Sequence, residues 1–298
     1  MKMFLLLSIL MLSLTTFGNT GLFLSSGKNF NVTDVEGVMK EVMGPEPTRY
    51  LNIFIHGRGK HPEKGIEIMT ELEENYGAKT IMFHWPSWKS AIERPVGNAV
   101  SSAGDLYSFL HELNNYVRHH PFRMFGVKIN LVAHSMGNIV FKEMMENYYQ
   151  PGDFKERLFS SLLLNAADVP ARDHSRWVDR VDFAKESYIT YNDNDIVLFG
   201  SEQLDRFDND YESYEGTRLG RDLDKSMEKK STVLSRNVNY LNISKLTYTG
   251  HRHFLVEDKK KNVELRSIFT RMFQGRRPYL NNRDGVYKVK DNVYYFKK

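Results

Sequence analysis

The sequence predicts an α/β fold in which a mostly parallel sheet is covered by helices on both faces. Short apolar runs typical of buried strands alternate along the chain with segments whose apolar residues recur at the helical period. Polar and glycine-containing turns follow several predicted strands, and the carboxyl ends of parallel strands share one edge of a sheet. In residues 127–149 a strand passes through a tight turn directly into a helix, and we place this segment at the centre of the fold.

The turn within this central segment is Ala133-His134-Ser135-Met136-Gly137. A serine at the corner between a strand and a helix is lifted above the sheet edge, and small neighbours two positions away on each side make room for it. This geometry would make Ser135 a candidate nucleophile. The alternative is an ordinary serine in a strand-to-helix loop.

The first residues are typical of a secretory signal. A charged start precedes the apolar run of residues 4–14, which is too short to span a membrane, and Thr16 and Gly18 supply small residues for cleavage. We therefore expect residues 1–18 to be a signal peptide, the mature chain to begin near Asn19, and the protein to be periplasmic or secreted. The alternative is an uncleaved apolar segment that tethers the protein to a membrane.

Composition narrows the classes of function. The chain of 298 residues contains no cysteine, which excludes disulfides and metal–thiolate sites. With 41% apolar and 13% aromatic residues, the part from 19 to 298 can form one domain with a large core. A net charge of +4 with scattered basic residues argues against a nucleic-acid partner or a membrane-surface role.

The other elements follow in order from the same patterns. Predicted strands are residues 49–56, 79–84, 158–164, 186–191 and 238–248. Predicted helices are residues 34–43, 63–75, 101–119, 177–184, 222–230 and 263–273, and residues 285–296 form a predicted hairpin-like tail. The polar and aromatic residues 199–236 are an insertion between the last two predicted strands; a lid, a substrate wall and a solvated surface loop are all consistent with them.

Several polar residues fall at the predicted carboxyl ends of strands, where α/β proteins bind ligands. They are His56-Gly57, Trp85, Ser135, Asp168 and the turn Asn192-Asp193-Asn194-Asp195. The glycine-rich bend after His56 can direct backbone N–H groups at a developing oxyanion, although a plain strand-to-helix turn with a buried histidine has the same sequence. The spacing of its glycines excludes a phosphate-binding P-loop.

Together these motifs resemble the α/β-hydrolase superfamily, and more narrowly a group of bacterial esterase/lipase-like serine hydrolases of uncharacterised substrate. The matching pieces cover residues 50–255 and are Phe54-Ile55-His56-Gly57, Trp85-Pro86-Ser87, Ala133-His134-Ser135-Met136-Gly137, Ala167-Asp168-Val169, Asn194-Asp195, Arg218-Leu219-Gly220 and Gly250-His251. The chain order of serine, acid and histidine is that of the superfamily. Ala133 stands where the superfamily usually has glycine.

The resemblance implies a triad and an oxyanion hole. Ser135 would be the nucleophile, His251 the general base and Asp195 the orienting acid. Backbone N–H groups of Met136 and of the bend at Gly57 and Arg58 would hold the oxyanion. No metal or organic cofactor is implied.

The base and the acid each have a second candidate two residues away. We favour His251 over His253 because it directly follows Gly250 and the predicted strand. We favour Asp195 over Asp193 because it adjoins the apolar run 196–198, which should return to the core and leave Asp193 more exposed. Asp168, at the end of the preceding predicted strand, is a third candidate for the acid.

The resemblance implies cleavage of an ester, thioester or amide in a small molecule or lipid. Two other functions remain open at this point. One is a transacylase that uses the same triad, and the other is a catalytically inactive protein that binds peptidoglycan, a glycan or a protein through residues 199–236. A metal site at His119-His120 or at His251 and His253 lacks carboxylates at ligand spacing.

Overall fold

The computed structural model describes residues 19–44, 48–205, 214–228, 232–248, 250–255, 263–280, 285–290 and 292–296. The predicted signal peptide lies outside these ranges. Within them the protein forms a 10-stranded mixed sheet, mostly parallel, with helices on both faces. The predicted fold class is confirmed.

The sheet is built from short, buried strands. In chain order they are β1 Gly21–Leu24, β2 Asn29–Phe30, β3 Tyr50–Ile55, β4 Lys79–His84, β5 Lys128–His134, β6 Ser161–Asn165, β7 Ser187–Tyr191, β8 Asn239–Asn242, β9 Val286–Lys290 and β10 Val293–Phe296. Their spatial order is β2-β1-β4-β3-β5-β6-β7-β8-β10-β9. From β4 to β10 all neighbours are parallel, whereas β1, β2 and β9 pair antiparallel.

The helices cover the two faces of this sheet. They are α1 Val35–Met43, α2 Pro62–Tyr76, α3 Val96–Ser101, α4 Ala103–His119, α5 Gly137–Asn147, α6 Ser175–Val178, α7 Ile196–Leu204, α8 Leu223–Glu228, α9 Ser244–Thr247 and α10 Val263–Phe273. One layer contains α1, α3, α4, α5 and α6, and the opposite layer contains α2 and α10. None of the helices in the described ranges is long and apolar enough to cross a membrane.

Successive side chains of a strand point to opposite faces of the sheet, and this explains the two layers. In β3, Ile53 and Ile55 pack into the core cluster of the first layer, while Phe54 packs into that of the second. A strand covered on both faces is apolar at nearly every position rather than at every other one, as expected of a central parallel strand; in β3 the buried polar exception is Asn52. Burying each such side chain contributes roughly 1.5–3 kcal/mol relative to leaving it exposed.

The strand order reverses at β3, and this reversal places the site. The chain leaves β3 for β4 on one side and returns to form β5 on the other. The connections after β3 and β5 therefore diverge to opposite sides and leave a crevice beyond the carboxyl ends of these strands. His56-Gly57 and Ser135 follow β3 and β5 at this crevice.

Some predicted elements are wrong in extent. The strand predicted at 238–248 ends at Asn242, because the side-chain oxygen of Asn242 accepts hydrogen bonds from the backbone N–H and hydroxyl of Ser244 and starts α9. The helix predicted at 177–184 is reduced to the single turn of α6. The helix predicted at 101–119 is confirmed as α4, and the short α3 precedes it.

Other differences concern segments whose strand pairing or burial the apolar pattern of the sequence did not predict. Residues 19–33, where no strand is predicted, supply β1, which pairs antiparallel with β4. The apolar run after Asp195 begins α7 and returns to the interior only at its third residue: Ile196 is 63% and Val197 50% exposed, whereas Leu198 is buried. The tail at 285–296 is a hairpin as predicted, but its strand β10 also pairs parallel with β8.

The described part of the predicted insertion is not a solvated loop. Tyr214, Leu219 and Leu223 are buried in the first-layer core. Leu219 donates a backbone hydrogen bond to Val169, the residue after Asp168, at 2.8 Å. These contacts make this part of residues 199–236 a fixed wall beside the carboxyl ends of β6 and β7.

Candidate active site

Ser135 lies at the corner between β5 and α5. Its φ of 53° is in the left-handed region, which L-residues seldom adopt, so the surrounding structure must hold it there. Its N–H donates to the carbonyl of Asn165 at 3.1 Å. The side-chain amide of Asn138 donates to the carbonyls of Ala133 and Ser135, both at 3.0 Å. Asn138 thus closes the turn from inside and fixes the direction of the serine.

Two glycines allow β3 and the serine turn to approach each other. A Cβ on Gly57 would lie 2.7 Å from the Cβ of Ser135, and one on Gly137 would lie 2.5 Å from the carbonyl oxygen of Ile55. Both distances are below any normal contact. The small residue at 137 therefore makes room for β3 rather than for the serine itself, which differs from the reason given by the sequence pattern.

Replacing Gly57 with alanine is expected to lower kcat/KM at least about 100-fold, because the new methyl group displaces Ser135 and a misplacement of about 1 Å costs that much. Gly59→Ala is the matched control: its nearest neighbour would be 3.8 Å away, so we expect activity close to wild type. The assay is ester hydrolysis by the two variants at equal folded concentration. Equal activity of both variants would contradict the close approach.

The acid and the base predicted from the sequence are in contact. His251 Nδ1 lies 2.8 Å from Asp195 Oδ2. Asp195 is fully buried, whereas the His251 side chain is 14% exposed. The ring of His134, the residue before Ser135, packs against the ring of His251 with centroids 4.9 Å apart. The structure therefore brings Ser135, His251 and Asp195 to the same edge of the sheet.

The position of Asp195 is set by α7. Its Oδ1 accepts hydrogen bonds from the backbone N–H groups of Val197 and Leu198, both at 2.9 Å, so the aspartate caps this helix. Its Oδ2 is left to face His251. Burial alone would raise the pKa of this carboxyl, but hydrogen bonding to His251 and the neighbouring imidazoles outweigh it and hold the pKa well below its usual value. Asp195 is thus ionised at neutral pH.

The loop carrying His251 is tied to the turn that carries Asp195. The side-chain amide of Asn192 donates to the carbonyls of Tyr248 and Gly250, at 2.8 and 3.0 Å. His251 therefore follows the short helix α9 and this bridged loop, not the end of a strand as predicted. The bridge supplies the rigidity that the missing strand would have given.

Residues 33–263 match the family described as alpha/beta hydrolase of unknown function (DUF900). The chain belongs to this family. No curated protein matches its sequence.

Among solved structures this α/β hydrolase is similar to several esterases. An esterase from the Planctomycetes species Thermogutta terrifontis has 12% identity and a TM-score of 0.31, covering 55% of this chain and 69% of its own. A lipase/esterase from Lactobacillus plantarum has 13% identity and a TM-score of 0.30, covering 53% and 73%. An esterase from Pyrobaculum calidifontis has 14% identity and a TM-score of 0.28, covering 54% and 63%. At such TM-scores these similarities add no weight to the fold assignment, which rests on the family match and the strand order.

The alternative base, His253, is placed differently from His251. It is 1% exposed, and its Nδ1 lies 3.0 Å from the hydroxyl of Thr190. Its Nε2 is 3.8 Å from Asp195 Oδ2, too far for a hydrogen bond. This α/β hydrolase thus presents two imidazoles to one carboxylate oxygen, and His251 is the one within hydrogen-bonding distance.

The two alternative acids have other partners. Asp193 Oδ2 accepts a hydrogen bond from Asn242 at 2.9 Å, and the Asp193 N–H donates to the Ser244 hydroxyl at 2.8 Å, so Asp193 anchors the turn after β8. It is more exposed than Asp195, as predicted. Asp168 lies close to Ser135, since its N–H donates to the serine carbonyl at 3.2 Å, but its carboxylate faces away into an ion cluster.

This ion cluster is buried beside the serine turn. Asp168 is paired with Arg94 at 3.1 Å and Arg218 at 2.7 Å, and accepts a hydrogen bond from Ser201 at 2.8 Å. Asp205 pairs with the same two arginines. Burial by itself would raise the pKa of Asp168, but the two guanidinium groups lower it overall. The cluster joins α7 to the loop after β6 and so holds the wall against the serine turn.

The predicted oxyanion-hole residues lie around Ser135. Met136 is at the N-cap position of α5, where backbone N–H groups have no partner within the helix. Gly57 contacts the serine as described, and Arg58 follows it. The Arg58 guanidinium donates to the carbonyls of Ala91 at 2.9 Å and Glu93 at 3.2 Å, which fixes the bend after β3.

His56 does not enter the triad. Its Nδ1 contacts the carbonyl of Gly57 at 2.7 Å and its Nε2 lies 3.0 Å from His84 Nδ1. Both rings are buried, and burial lowers the pKa of His56 to about 3 and that of His84 to about 4. In three further buried histidines burial is likewise the largest cause of a lowered pKa: His134, His174 and His253. These five histidines are neutral in the folded protein.

Acid is therefore expected to destabilise the fold well above the pH at which carboxylates protonate. Unfolded histidine takes up a proton near pH 6.5, whereas the folded residues resist it, so stability is present above about pH 6.5 and is lost as the pH falls toward 4. For His84 alone the loss is on the order of 3 kcal/mol. The melting temperature should fall by on the order of 10 °C between pH 7 and pH 5, measured by circular dichroism.

The exposed His119 provides the control for this prediction. His119→Gln should show the same fall in melting temperature as wild type, because the buried histidines are unchanged. A melting temperature that stays constant from pH 7 to pH 5 would contradict the prediction.

Several residues that shape the site carry no recognisable motif. They are Arg94, Asn165 and Thr190. Each acts by a long-range or cross-strand contact, which residue spacing does not reveal. Asn138, whose 3.0 Å hydrogen bonds lie within the serine turn, carries no motif either. Among the residues that the structure describes, no group of three or more His, Asp or Glu side chains is arranged to hold a metal ion.

Proposed function

We propose that this α/β hydrolase is a serine hydrolase that cleaves an ester, or a related thioester or amide, in a small molecule or lipid. The observation that carries the proposal is the 2.8 Å contact between His251 Nδ1 and Asp195 Oδ2 at the edge of the sheet where Ser135 forms its corner. An acid and a base in this arrangement are what a serine hydroxyl needs to become a nucleophile at neutral pH.

In the proposed mechanism Ser135 Oγ attacks the substrate carbonyl while His251 Nε2 takes the hydroxyl proton. Asp195 holds the proton of His251 Nδ1 and stabilises the imidazolium that forms. The tetrahedral intermediate collapses to an acyl-enzyme as His251 returns the proton to the leaving group. A water molecule, deprotonated by His251, then attacks the acyl-enzyme, releases the acid and restores Ser135.

The negative charge of the tetrahedral intermediate needs fixed hydrogen-bond donors. We assign this role to the backbone N–H of Met136, at the N-terminus of α5, and to that of Arg58, in the bend at Gly57. Each such donor contributes about 3 kcal/mol to the stabilisation of a transition state. The anchored side chain of Arg58 supports this role because it keeps the bend rigid.

The proposed enzyme is the domain of residues 19–298, exported to the periplasm or beyond after removal of residues 1–18. Its proposed partner is a small-molecule or lipid ester substrate. A transacylase would share the acyl-enzyme and differ only in the nucleophile that accepts the acyl group, whereas an inactive binding protein would form none.

The test is reaction with a fluorophosphonate probe, followed by peptide mass spectrometry and a panel of p-nitrophenyl esters of rising chain length. We expect one adduct, on the peptide that contains Ser135, and turnover of at least one ester. An added alcohol that diverts most of the acyl product to a new ester would identify a transacylase. A folded protein that neither reacts with the probe nor hydrolyses any ester would overturn the proposal and favour the binding protein.

A further inference from the structure

A chain of hydrogen-bonded, buried polar side chains lies next to the proposed triad. Its members are His134, Asn165, Thr190 and His253. Asn165 at the end of β6 and Thr190 in β7 are direct neighbours in the parallel register. Both are fully buried, and His253, from the loop that also carries His251, reaches the Thr190 hydroxyl. Polar groups are costly to bury without partners, so the hydrogen-bond directions in this hydrogen-bonded chain are constrained.

The orientation of the Asn165 amide and the single hydroxyl proton of Thr190 together set these directions. The hydroxyl donates to Asn165 Oδ1 at 3.0 Å, which leaves its oxygen free only to accept. His253 Nδ1, also 3.0 Å from that oxygen, must therefore carry a proton and donate it. At the other end, Asn165 Nδ2 donates to His134 Nδ1 at 3.0 Å, so His134 is protonated at Nε2.

The other ring nitrogen of His253, Nε2, consequently carries no proton. A neutral imidazole has one proton, and burial lowers the pKa of His253 and keeps it neutral. Its Nε2 lone pair then faces Asp195 Oδ2 at 3.8 Å, the same oxygen that His251 Nδ1 contacts at 2.8 Å. The charged and titratable groups around His253 are Asp195, His251 and His134, with Arg252 preceding it in the chain.

We propose that Thr190 is a positioning residue that holds His253 in the Nδ1–H tautomer and thereby reserves the Asp195 carboxylate for His251. This inference rests on the proposed roles of Asp195 and His251. Without the Thr190 hydroxyl, His253 has no acceptor for its Nδ1 proton. It then protonates at Nε2 and donates to Asp195 Oδ2 in competition with His251, so one carboxylate is shared by two imidazoles.

The test compares Thr190→Val, which removes the hydroxyl and keeps the shape, with Thr190→Ser, which keeps the hydroxyl. Nitrogen-15 NMR of the imidazoles reports which His253 nitrogen is protonated. We expect Nδ1–H in wild type and in the serine variant, and Nε2–H in the valine variant. This readout does not depend on catalysis.

Kinetics supply the second readout. In Thr190→Val we expect kcat to fall about tenfold with little change in KM, as is usual when a group that orients a catalytic residue is removed. Thr190→Ser, which loses the methyl group but keeps the hydroxyl, should keep wild-type kcat, whereas a purely packing role would make this variant fail as well.

The outcomes separate this inference from the proposed function. Wild-type His253 protonated at Nε2 overturns the inference whether or not the variants fold, and so does a folded Thr190→Val protein that keeps Nδ1–H and wild-type kcat. The expected tautomer change in a protein without hydrolase activity would support the hydrogen-bond assignment and overturn the proposed enzyme.

Discussion

Ser135→Ala is expected to abolish fluorophosphonate labelling and to lower kcat by about 10⁴ or more, because the only oxygen able to attack the substrate is removed. The fold should be retained, since alanine keeps the Cβ that packs against Gly57 and its backbone is held by the same hydrogen bonds from Asn138 and to Asn165. Steady-state kinetics on a p-nitrophenyl ester and a circular dichroism spectrum measure the two effects.

A second buried serine gives a matched control for this variant. Ser161 begins β6, at the end of the strand away from the site, and its hydroxyl is buried without a hydrogen-bond partner among the described residues. Ser161→Ala removes the same atom from the interior and should leave labelling and kcat unchanged. If Ser135→Ala kept wild-type turnover, the whole mechanism would have to be abandoned.

Asp195→Asn is expected to lower kcat by about 10⁴ with little change in KM, the size of effect seen when the orienting acid of a serine triad is replaced by its amide. Because the Oδ1 position must still accept the two N–H groups that begin α7, the amide nitrogen takes the place of Oδ2. It then donates to His251 Nδ1, which puts the imidazole proton on Nε2. A base protonated there cannot accept the proton of Ser135.

Two parallel variants show whether this effect is specific. Asp193→Asn removes a charge from the turn after β8, where the partners are Asn242 and Ser244, and should leave kcat within about tenfold of wild type. Asp168→Asn breaks the buried ion cluster and should cost about 3–5 kcal/mol of stability, visible in urea unfolding. Wild-type kcat in Asp195→Asn together with a collapse in either of the others would reassign the acid.

The sequence alone predicts much of the fold, because the pattern of a strand buried on both faces is local. The strand at 79–84 and the helix at 263–273 have the predicted bounds, and the serine corner lies where the motif places it. The predictions fail where side chains override the apolar pattern. The strand after residue 238 is the clearest case, since Asn242 and Ser244 end it early through hydrogen bonds that propensity does not encode.

The residues of the candidate site likewise fall into those that the sequence predicts and those that it does not. Ser135 and Asp195 stand out in the sequence because turn residues mark the ends of strands, His251 stands out because it directly follows Gly250, and the structure brings the three together. Asn165 and Thr190 do not stand out, because polar residues within predicted strands carry no signal until the register pairs them. The buried salt bridge of Arg94 with Asp168 spans 74 residues of chain and is equally invisible to local patterns.

The pairing of β10 with β8 has a consequence for biosynthesis. Strands β3 to β7 and the serine corner are encoded before residue 192, so this half of the sheet can assemble while translation continues. β8, which precedes the loop of His251, gains its outer neighbour only when residues 293–296 have been made. Contacts between distant parts of a chain form late because loop closure must come first. The nascent protein can therefore form the Ser135 corner well before β8, the strand that precedes the His251 loop, has both of its neighbours.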